Sequence, residues 1–310
     1  MSDSAAERWL RPSGDVSAEP RWGHPNGLQL GIPPIPGPRG LLRIFAPYLD
    51  HPRERLVNFI AVEPIPRGAV ERGYSELEQS TLDPGAQGKR LWSADAAEAA
   101  ESGITGAPAR GVIALIDGVE TLTVWIGVER FDNGSEVRVR VRFFADHPHE
   151  VEVAGFANAA SAPLAHLVLS ATMGNWARLR RLHLVDRIVT PDELWPGFTG
   201  TAFTTHRRFA LADLVRDGHA AIVSATGDET DPWSVDYAAD TAGHWRFLGR
   251  RAVQTWRSDD PHPQLVASVN ARGTYWASAS AIPGGPAYEN IELIEPFRQG
   301  AAFRFSVEEV

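Results

Sequence analysis

The residues from 119 to 156 carry the most regular pattern in the chain. Apolar side chains occupy every second position in two runs that flank Asn133-Gly134: Leu122, Val124, Ile126 and Val128, then Val137, Val139, Val141 and Phe143. A period of two is typical of half-buried strands, and Asn-Gly supplies the left-handed residues of a tight hairpin turn. A third run, at 150–156, follows a short loop. The pattern predicts a three-stranded antiparallel meander.

The positions of the two turns also predict how the strands pair. With turns centred on Asn133-Gly134 and on His147, apolar residues meet on one face and opposite charges meet on the other, and a slip of one residue would destroy both matches. The predicted pairs are Val128 with Val139, Ile126 with Val141, Glu129 with Arg138, Val151 with Phe143, and Glu152 with Arg142.

The rest of the chain favours an all-β fold. Strands are predicted at 41–48, 56–65, 164–172, 178–184, 220–225, 265–270, 274–280, 289–295 and 302–307, with short helical turns at 94–101 and 211–216. Many strands separated by Gly and Pro, without a βαβ rhythm, indicate a large antiparallel β-sandwich with few short helices. We expect residues 1–27 to form a polar arm and residues 28–310 a single domain.

Composition limits the chemistry that is available. The chain has 29 arginines, a single lysine (Lys89) and no cysteine. It therefore has no thiol nucleophile, disulfide or thiolate metal site, and a Schiff-base lysine could only be Lys89. Reactions would have to use carboxylates, histidines, hydroxyls and arginines, a set that suits work on sugars.

Charge and hydropathy limit the partners. The formal net charge of −9 disfavours nucleic acid as a partner, because generic nucleic-acid binders are basic. Residues 1–14 are polar, and no apolar run reaches the length of about 18 residues that suggests a membrane span. We expect a cytoplasmic protein without membrane contact; its oligomeric state stays open.

Common catalytic and metal-binding signatures are missing from the sequence. It has no G-x-S-x-G, H-E-x-x-H or S-x-x-K motif, no phosphate loop and no dinucleotide fingerprint. Two acidic or histidine-rich segments, 146–150 and 228–231 with Asp236, are tempting as metal sites. Neither has a recognised ligand spacing, so we interpret both as polar loops and expect no metal and no cofactor.

Arginines and tryptophans supply candidate binding groups. Arg140 has no charged partner in the predicted register, because it would face Gly127 and Ala154, which leaves room for a ligand. Several of the ten tryptophans stand beside Gly, Pro or charged residues. Flat rings next to arginine and amide groups are how proteins hold sugars. Trp195, Trp245 and Trp276 are the predicted stacking platforms.

The C-terminal half holds the candidates for proton transfer. His206 lies in a predicted loop, where a histidine of near-neutral pKa can donate or accept a proton. Glu289 follows a glycine turn and could be its partner. The remaining candidates are Tyr275 for catalysis, Arg207 and Arg272 as clamps for an anion or hydroxyl, and His244 as a substrate-binding residue.

The chain resembles the galactose-mutarotase-like supersandwich group. The similarity lies in the segment 118–123, the Asn133-Gly134 turn, the segment 146–150 and the ending 289–300. The segments 195–200 and 283–285 also resemble a set of uncharacterised bacterial proteins. The group includes mutarotases, epimerases, and domains of polysaccharide lyases and glycoside hydrolases. Its mutarotases use a histidine acid and a glutamate base, for which His206 and Glu289 are the nearest counterparts, although the flanking motifs differ.

Three functions remain open. The leading hypothesis is a carbohydrate-active enzyme of lyase, glycosidase or epimerase type that uses general acid/base catalysis on a sugar or a uronate-containing glycan. The second is a non-catalytic carbohydrate-binding module, which would bind glycans without forming product. The third is a metal-dependent oxygenase or isomerase on a β-barrel, with two histidines and a carboxylate as ligands.

Overall fold

A computed structural model describes residues 8–35, 37–51, 56–69, 71–103 and 106–310. In this part of the chain, nineteen strands form two large antiparallel sheets, and the only α-helices are two short ones. The all-β class and the antiparallel β-sandwich predicted from the sequence are confirmed. Among the described residues, no helix has the length and apolar character needed to cross a membrane.

The first sheet has eight strands in the spatial order β1-β2-β3-β4-β10-β18-β17-β13. Their bounds are Arg21–Gly23 (β1), Gln29–Gly31 (β2), Leu41–Phe45 (β3), Leu56–Pro66 (β4), Leu164–Ala171 (β10), Arg207–Ala210 (β13), Val266–Arg272 (β17) and Ala287–Ile294 (β18). Because β4 pairs with β10 and β10 with β18, residues from three distant parts of the sequence lie side by side at its centre.

The second sheet has eleven strands, nine of them in the order β12-β11-β15-β16-β19-β9-β8-β7-β5, with β14 and β6 paired to β15 and β7. Their bounds are Leu91–Ala94 (β5), Val112–Ile116 (β6), Val119–Val128 (β7), Val137–Phe144 (β8), Glu150–Ala157 (β9), Leu179–His183 (β11), Ile188–Val189 (β12), Val215–Asp217 (β14), Ala220–Gly227 (β15), Ala252–Ser258 (β16) and Ala302–Glu309 (β19). The helices are Ala97–Ser102 (α1) and Pro191–Leu194 (α2).

The main core lies between the two sheets and draws side chains from both. Burial of a Val, Leu, Ile or Phe side chain contributes about 1.5–3 kcal/mol, so this layer dominates the stability of the fold. Two polar contacts also cross it: Asn58 Nδ2 donates to Gln254 Oε1 at 2.5 Å, and Trp256 Nε1 donates to the Ile291 carbonyl oxygen at 2.9 Å. Both contacts fix the first sheet against β16 of the second.

The predicted meander is present, but half of its register differs from the prediction. Arg142 pairs with Glu152 across β8 and β9, as expected. Between β7 and β8, however, Val139 lies opposite Ile126 rather than Val128, a shift of two residues that keeps the same faces buried. The Asn133-Gly134 turn sits inside a longer loop closed by a hydrogen bond from the Phe131 N–H to the Ser135 carbonyl oxygen. Glu129 consequently leaves the sheet.

Three other parts of the chain differ from the predicted secondary structure. Residues 274–280 were predicted as a strand, which is wrong, since this segment makes only an isolated bridge between Thr274 and Ala281. The strand β16 was not predicted, although its inward positions alternate. Within the segment expected to be an arm, β1 belongs to the first sheet and Trp22 is fully buried.

Candidate functional site

A cavity of about 680 Å³ lies over the face of the first sheet that points away from the main core. Strands β3, β4, β17 and β18 supply its floor. The loops after β4, β10 and β17, the loop before β13 and the segment 243–245 supply its walls. This volume is in the range of sites for small molecules.

A buried ion cluster lies at the floor of the cavity. Arg72, from the loop after β4, pairs with Glu63 and also with Glu292, whose Oε1 is 2.7 Å from Arg72 Nη1. Ser170 Oγ donates a 3.0 Å hydrogen bond to the same Glu292 oxygen. Burial alone would lower the pKa of Arg72, but the carboxylates of Glu63 and Glu292 raise it. Arg72 is therefore held as a cation between two carboxyl groups.

Burial raises the pKa of two carboxyl groups here, Glu63 within the cluster and Glu76 beside it. Burial, reinforced by Glu292 and Glu76, raises the pKa of Glu63 well above its usual value, against the opposing effect of Arg72. Burial also raises the pKa of Glu76 to about 7. The cause is the same in both cases, since a low dielectric disfavours the charged form of a carboxyl group.

His206 stands just before β13 and borders this cluster. Its Nε2 atom is 3.3 Å from Asn270 Nδ2 and 4.0 Å from Glu292 Oε1. Asn270 Oδ1 already accepts from the Asn290 N–H, so its amide nitrogen faces the ring and His206 Nε2 is the acceptor. Burial lowers the pKa of His206, and Glu292 opposes the shift. The imidazole is thus neutral near pH 7, with an unprotonated Nε2.

Glu289 reaches the cavity because of an irregularity in the sheet. In the pairing of β17 with β18, Asn270 alone lies opposite two residues, Glu289 and Asn290. Such a β-bulge re-aims side chains that would otherwise alternate between faces, and here both residues line the cavity. Glu289 is almost fully buried, and its Oε2 atom has no hydrogen-bond partner. Burial raises its pKa to about 8, against the opposing effect of Arg272.

The remaining walls are apolar. Leu41, Phe59 and Ala61 form a small buried cluster separate from the main core, with Leu56 and Met173 packed against it. All of these except Ala61 line the cavity. Aromatic rings complete the walls: Trp176, Phe203, Trp245 and Trp276. The cavity therefore combines a polar floor with a larger apolar surround, an arrangement common in small-molecule sites.

Five of the ten side chains proposed from the sequence line this cavity: His206, His244, Trp245, Trp276 and Glu289. Two more lie directly behind its wall. Tyr275 is fully buried and stacks on Trp245, with the ring centroids 5.3 Å apart, and burial raises its pKa. Arg272 lies over the ring of Phe203 and donates to the Thr201 carbonyl oxygen at 3.1 Å.

The other three proposed residues lie elsewhere. Arg140 is on β8 of the second sheet, where it faces Trp125 rather than Gly127 and pairs with Glu152 at 3.1 Å. Trp195 donates to the Thr205 carbonyl oxygen at 2.9 Å and packs toward Tyr288. Arg207 is exposed and donates to the Leu194 carbonyl oxygen at 3.2 Å. None of the three lines the cavity.

Sequence reasoning missed the ion cluster of Glu63, Arg72 and Glu292. A signal was available, because Glu63 and Glu292 each interrupt a run of apolar residues that was predicted as a strand. A carboxylate inside such a run requires a buried partner. The partner, Arg72, comes from a loop, and nothing in the sequence around it indicates that it reaches back across the sheet.

Two other features of the sequence prove to be structural. Lys89 is fully buried and pairs with Asp132 at 2.9 Å and Glu78 at 3.1 Å. In the acidic segment 228–231, Asp228 and Glu229 pair with Arg180 and Arg178.

The histidine-rich segment also makes local contacts, since His147 Nδ1 lies 2.8 Å from Asp146. Within the described residues, no group of three or more histidine or acidic side chains is placed to hold a metal ion.

Comparison of the chain with protein-family models, with curated proteins and with solved structures finds no match. The resemblance to the galactose-mutarotase-like group therefore stays a prediction. The chemistry of this protein has to be argued from the cavity itself.

Proposed function

We propose that this protein is an enzyme that performs general acid/base catalysis on a small uncharged molecule bearing a hydroxyl or ether oxygen. Glu289 would be the acid, His206 the base and Glu292 the group whose charge adjusts the pKa of His206. Sugars and glycosides belong to this substrate class, so a carbohydrate substrate is part of the proposal.

One observation carries this proposal: a carboxyl group and an imidazole on the same cavity each favour the form needed for proton transfer. A pKa of about 8 keeps Glu289 protonated at neutral pH, so it can donate a proton. The lowered pKa of His206 keeps its ring neutral, so it can accept one. Acid/base pairs whose pKa values are moved apart by their surroundings are characteristic of catalytic sites.

The charges around the cavity support an uncharged substrate rather than a uronate. Four carboxyl groups lie at or beneath its surface: Glu63, Glu76, Glu289 and Glu292. Of the two lining guanidinium groups, Arg72 is bound by two carboxylates and Arg43 donates to the Pro38 carbonyl oxygen at 2.7 Å. Both lining guanidinium groups therefore already have partners, which supports an uncharged substrate over a uronate.

The proton movements balance in a simple way. Glu289 gives its proton to the substrate oxygen as a bond to that oxygen breaks, and becomes a carboxylate. At Nε2, in place of the hydrogen bond from Asn270, His206 takes a proton from a neighbouring carbon in an elimination, or from the attacking water in a hydrolysis, and becomes imidazolium. Return of one proton from His206 to Glu289 through solvent restores the starting states.

The test is turnover of a panel of neutral glycosides, sugars and apolar alcohols by purified protein. We expect Glu289→Gln and His206→Gln each to reduce kcat by about 100-fold or more. Arg207→Ala is the matched control, since this side chain lies outside the cavity, and it should leave kcat within about twofold. Unchanged rates in both cavity variants would end this assignment. Ligand binding without turnover would favour the binding-module hypothesis instead.

A further inference from the structure

We infer that the cavity selects an amphipathic alcohol: a compact hydrocarbon body seated on the Leu41–Phe59–Met173 wall, with one hydroxyl group directed at Glu289. This inference rests on the proposed function for the identity of the reacting oxygen. It goes further by naming the body of the ligand, which separates such alcohols from free sugars.

The apolar wall is the first support. Leu41 and Phe59 are buried on the outer face of the first sheet, away from the core that holds the two sheets together. Met173 packs against them from the loop after β10. All three side chains line the cavity, so a hydrocarbon body bound there would pack against an apolar wall.

The second support is that the polar groups at the centre of the cavity floor already bind one another. A free sugar offers hydroxyls around its whole ring and needs donors and acceptors on several sides. Here the polar groups of Arg72, Glu63 and Glu292 are committed to one another, and Asn270 is committed to His206 and the Asn290 N–H. An alcohol with a single hydroxyl therefore suits this cavity floor better than a sugar with five.

The third support is Glu289 itself. Its side chain is nine-tenths or more buried, lines the cavity and keeps one oxygen without a hydrogen-bond partner. Leaving a buried polar group unsatisfied is costly, and a ligand oxygen that bonds to this carboxyl would relieve the cost. Because the surrounding wall is apolar, the ligand presents its oxygen here and hydrocarbon elsewhere.

Calorimetric titration of the full chain with menthol, its parent hydrocarbon p-menthane and glucose tests the inference without needing turnover. We expect menthol to bind at least about fivefold more tightly than p-menthane, and glucose to bind far more weakly than either. Glu289→Gln should keep the menthol affinity within about threefold, because a neutral amide still donates. Glu289→Leu should remove the preference for menthol over p-menthane.

A matched pair of surface changes tests the wall. Met173→Gln should weaken menthol binding by about fivefold, because it places an amide against the hydrocarbon body. Leu115→Gln, at an exposed position on β6 away from the cavity, should leave it unchanged. Glucose binding as tightly as menthol, no menthol binding up to its solubility limit, or equal effects of the two variants would overturn the inference.

The two proposals can fail separately. Menthol binding with the expected dependence on Glu289 and Met173, but no turnover of any panel member, would leave this inference standing and remove the catalytic proposal. Turnover of a free sugar that depends on His206 and Glu289, without menthol binding, would support the catalytic proposal and remove this inference.

Discussion

His206 Nε2 lies 4.0 Å from Oε1 of Glu292, a carboxylate that is fully buried and bound at the same time by Arg72 and Ser170. The histidine belongs to the edge of the first sheet and the glutamate to its centre. Glu292 therefore links the ion cluster to the group that we assign as the base. Glu289, the partner proposed from the sequence, lines the same cavity.

Replacing Glu292 by Gln should lower the pKa of His206 further. The Glu292 carboxylate at present opposes the lowering caused by burial, so its removal leaves burial unopposed. NMR titration of the ring protons of His206 would measure the change, and the acidic limb of a pH–rate profile should move to lower pH with it. Glu308→Gln, which removes the partner of His149, is the control and should leave His206 unaffected. A His206 pKa unchanged by Glu292→Gln would contradict the proposed coupling.

Glu289→Gln should stabilise the fold increasingly between pH 4.5 and 8. The carboxyl group ionises near 4.5 in the unfolded chain but only near 8 in the folded one. The wild-type protein loses stability across this window because only its unfolded state releases the proton. Each pKa unit corresponds to about 1.4 kcal/mol, so the difference should reach a few kcal/mol. Urea unfolding at several pH values would measure it; a difference that does not vary with pH would count against a raised pKa.

Arg72→Met should destabilise the protein strongly at neutral pH. It leaves Glu63 and Glu292 buried without their shared cation, a change that typically costs about 3–5 kcal/mol. Lowering the pH toward 4 should recover part of this loss, because the carboxyl groups then become neutral. The triple change Arg72→Met, Glu63→Gln and Glu292→Gln should be more stable than Arg72→Met alone. Thermal unfolding of the wild type, the single variant and the triple variant would measure these differences. Equal stability of the single and triple variants would argue against the ion cluster.

Glu129→Gln should destabilise the attachment of the segment 80–90, which precedes β5, to the end of β7. The Glu129 carboxylate accepts hydrogen bonds from Ser80 Oγ at 2.7 Å and from the Arg90 N–H at 2.9 Å, and Thr81 and Leu82 donate to it as well. Burial would raise its pKa, but these donors lower it to about 2.

We expect a loss of about 2 kcal/mol at pH 7 for Glu129→Gln, because an amide cannot accept from all of these donors. The loss should shrink as the pH falls from 4.5 toward 2, where the wild-type carboxylate becomes protonated and its contribution disappears. Glu136→Gln, whose partner Arg130 is largely exposed, is the control. Equal losses at pH 7 and pH 3 would contradict the assigned hydrogen bonds.

The comparison between sequence and structure is most instructive at Arg140. Its position on β8 and its charged face were predictable, because alternation with period two fixes which face each residue occupies. Its role as a ligand group depended on the register with β7, which differs by two residues. A shift of two keeps both faces intact, so the hydrophobic pattern could not detect it. The length of the loop between the strands decided the register instead.

The sequence by itself determined the β-class of this protein, the meander and the restricted set of catalytic groups, since these follow from local periodicity and composition. It also singled out His206, Trp245 and Glu289, which share the cavity. Only the tertiary structure decided that Glu63, Arg72 and Glu292 meet beneath them, and that a bulge turns Glu289 toward the same space. These juxtapositions depend on pairing between strands far apart in the chain and on one loop arginine, and local sequence patterns carry no information about either.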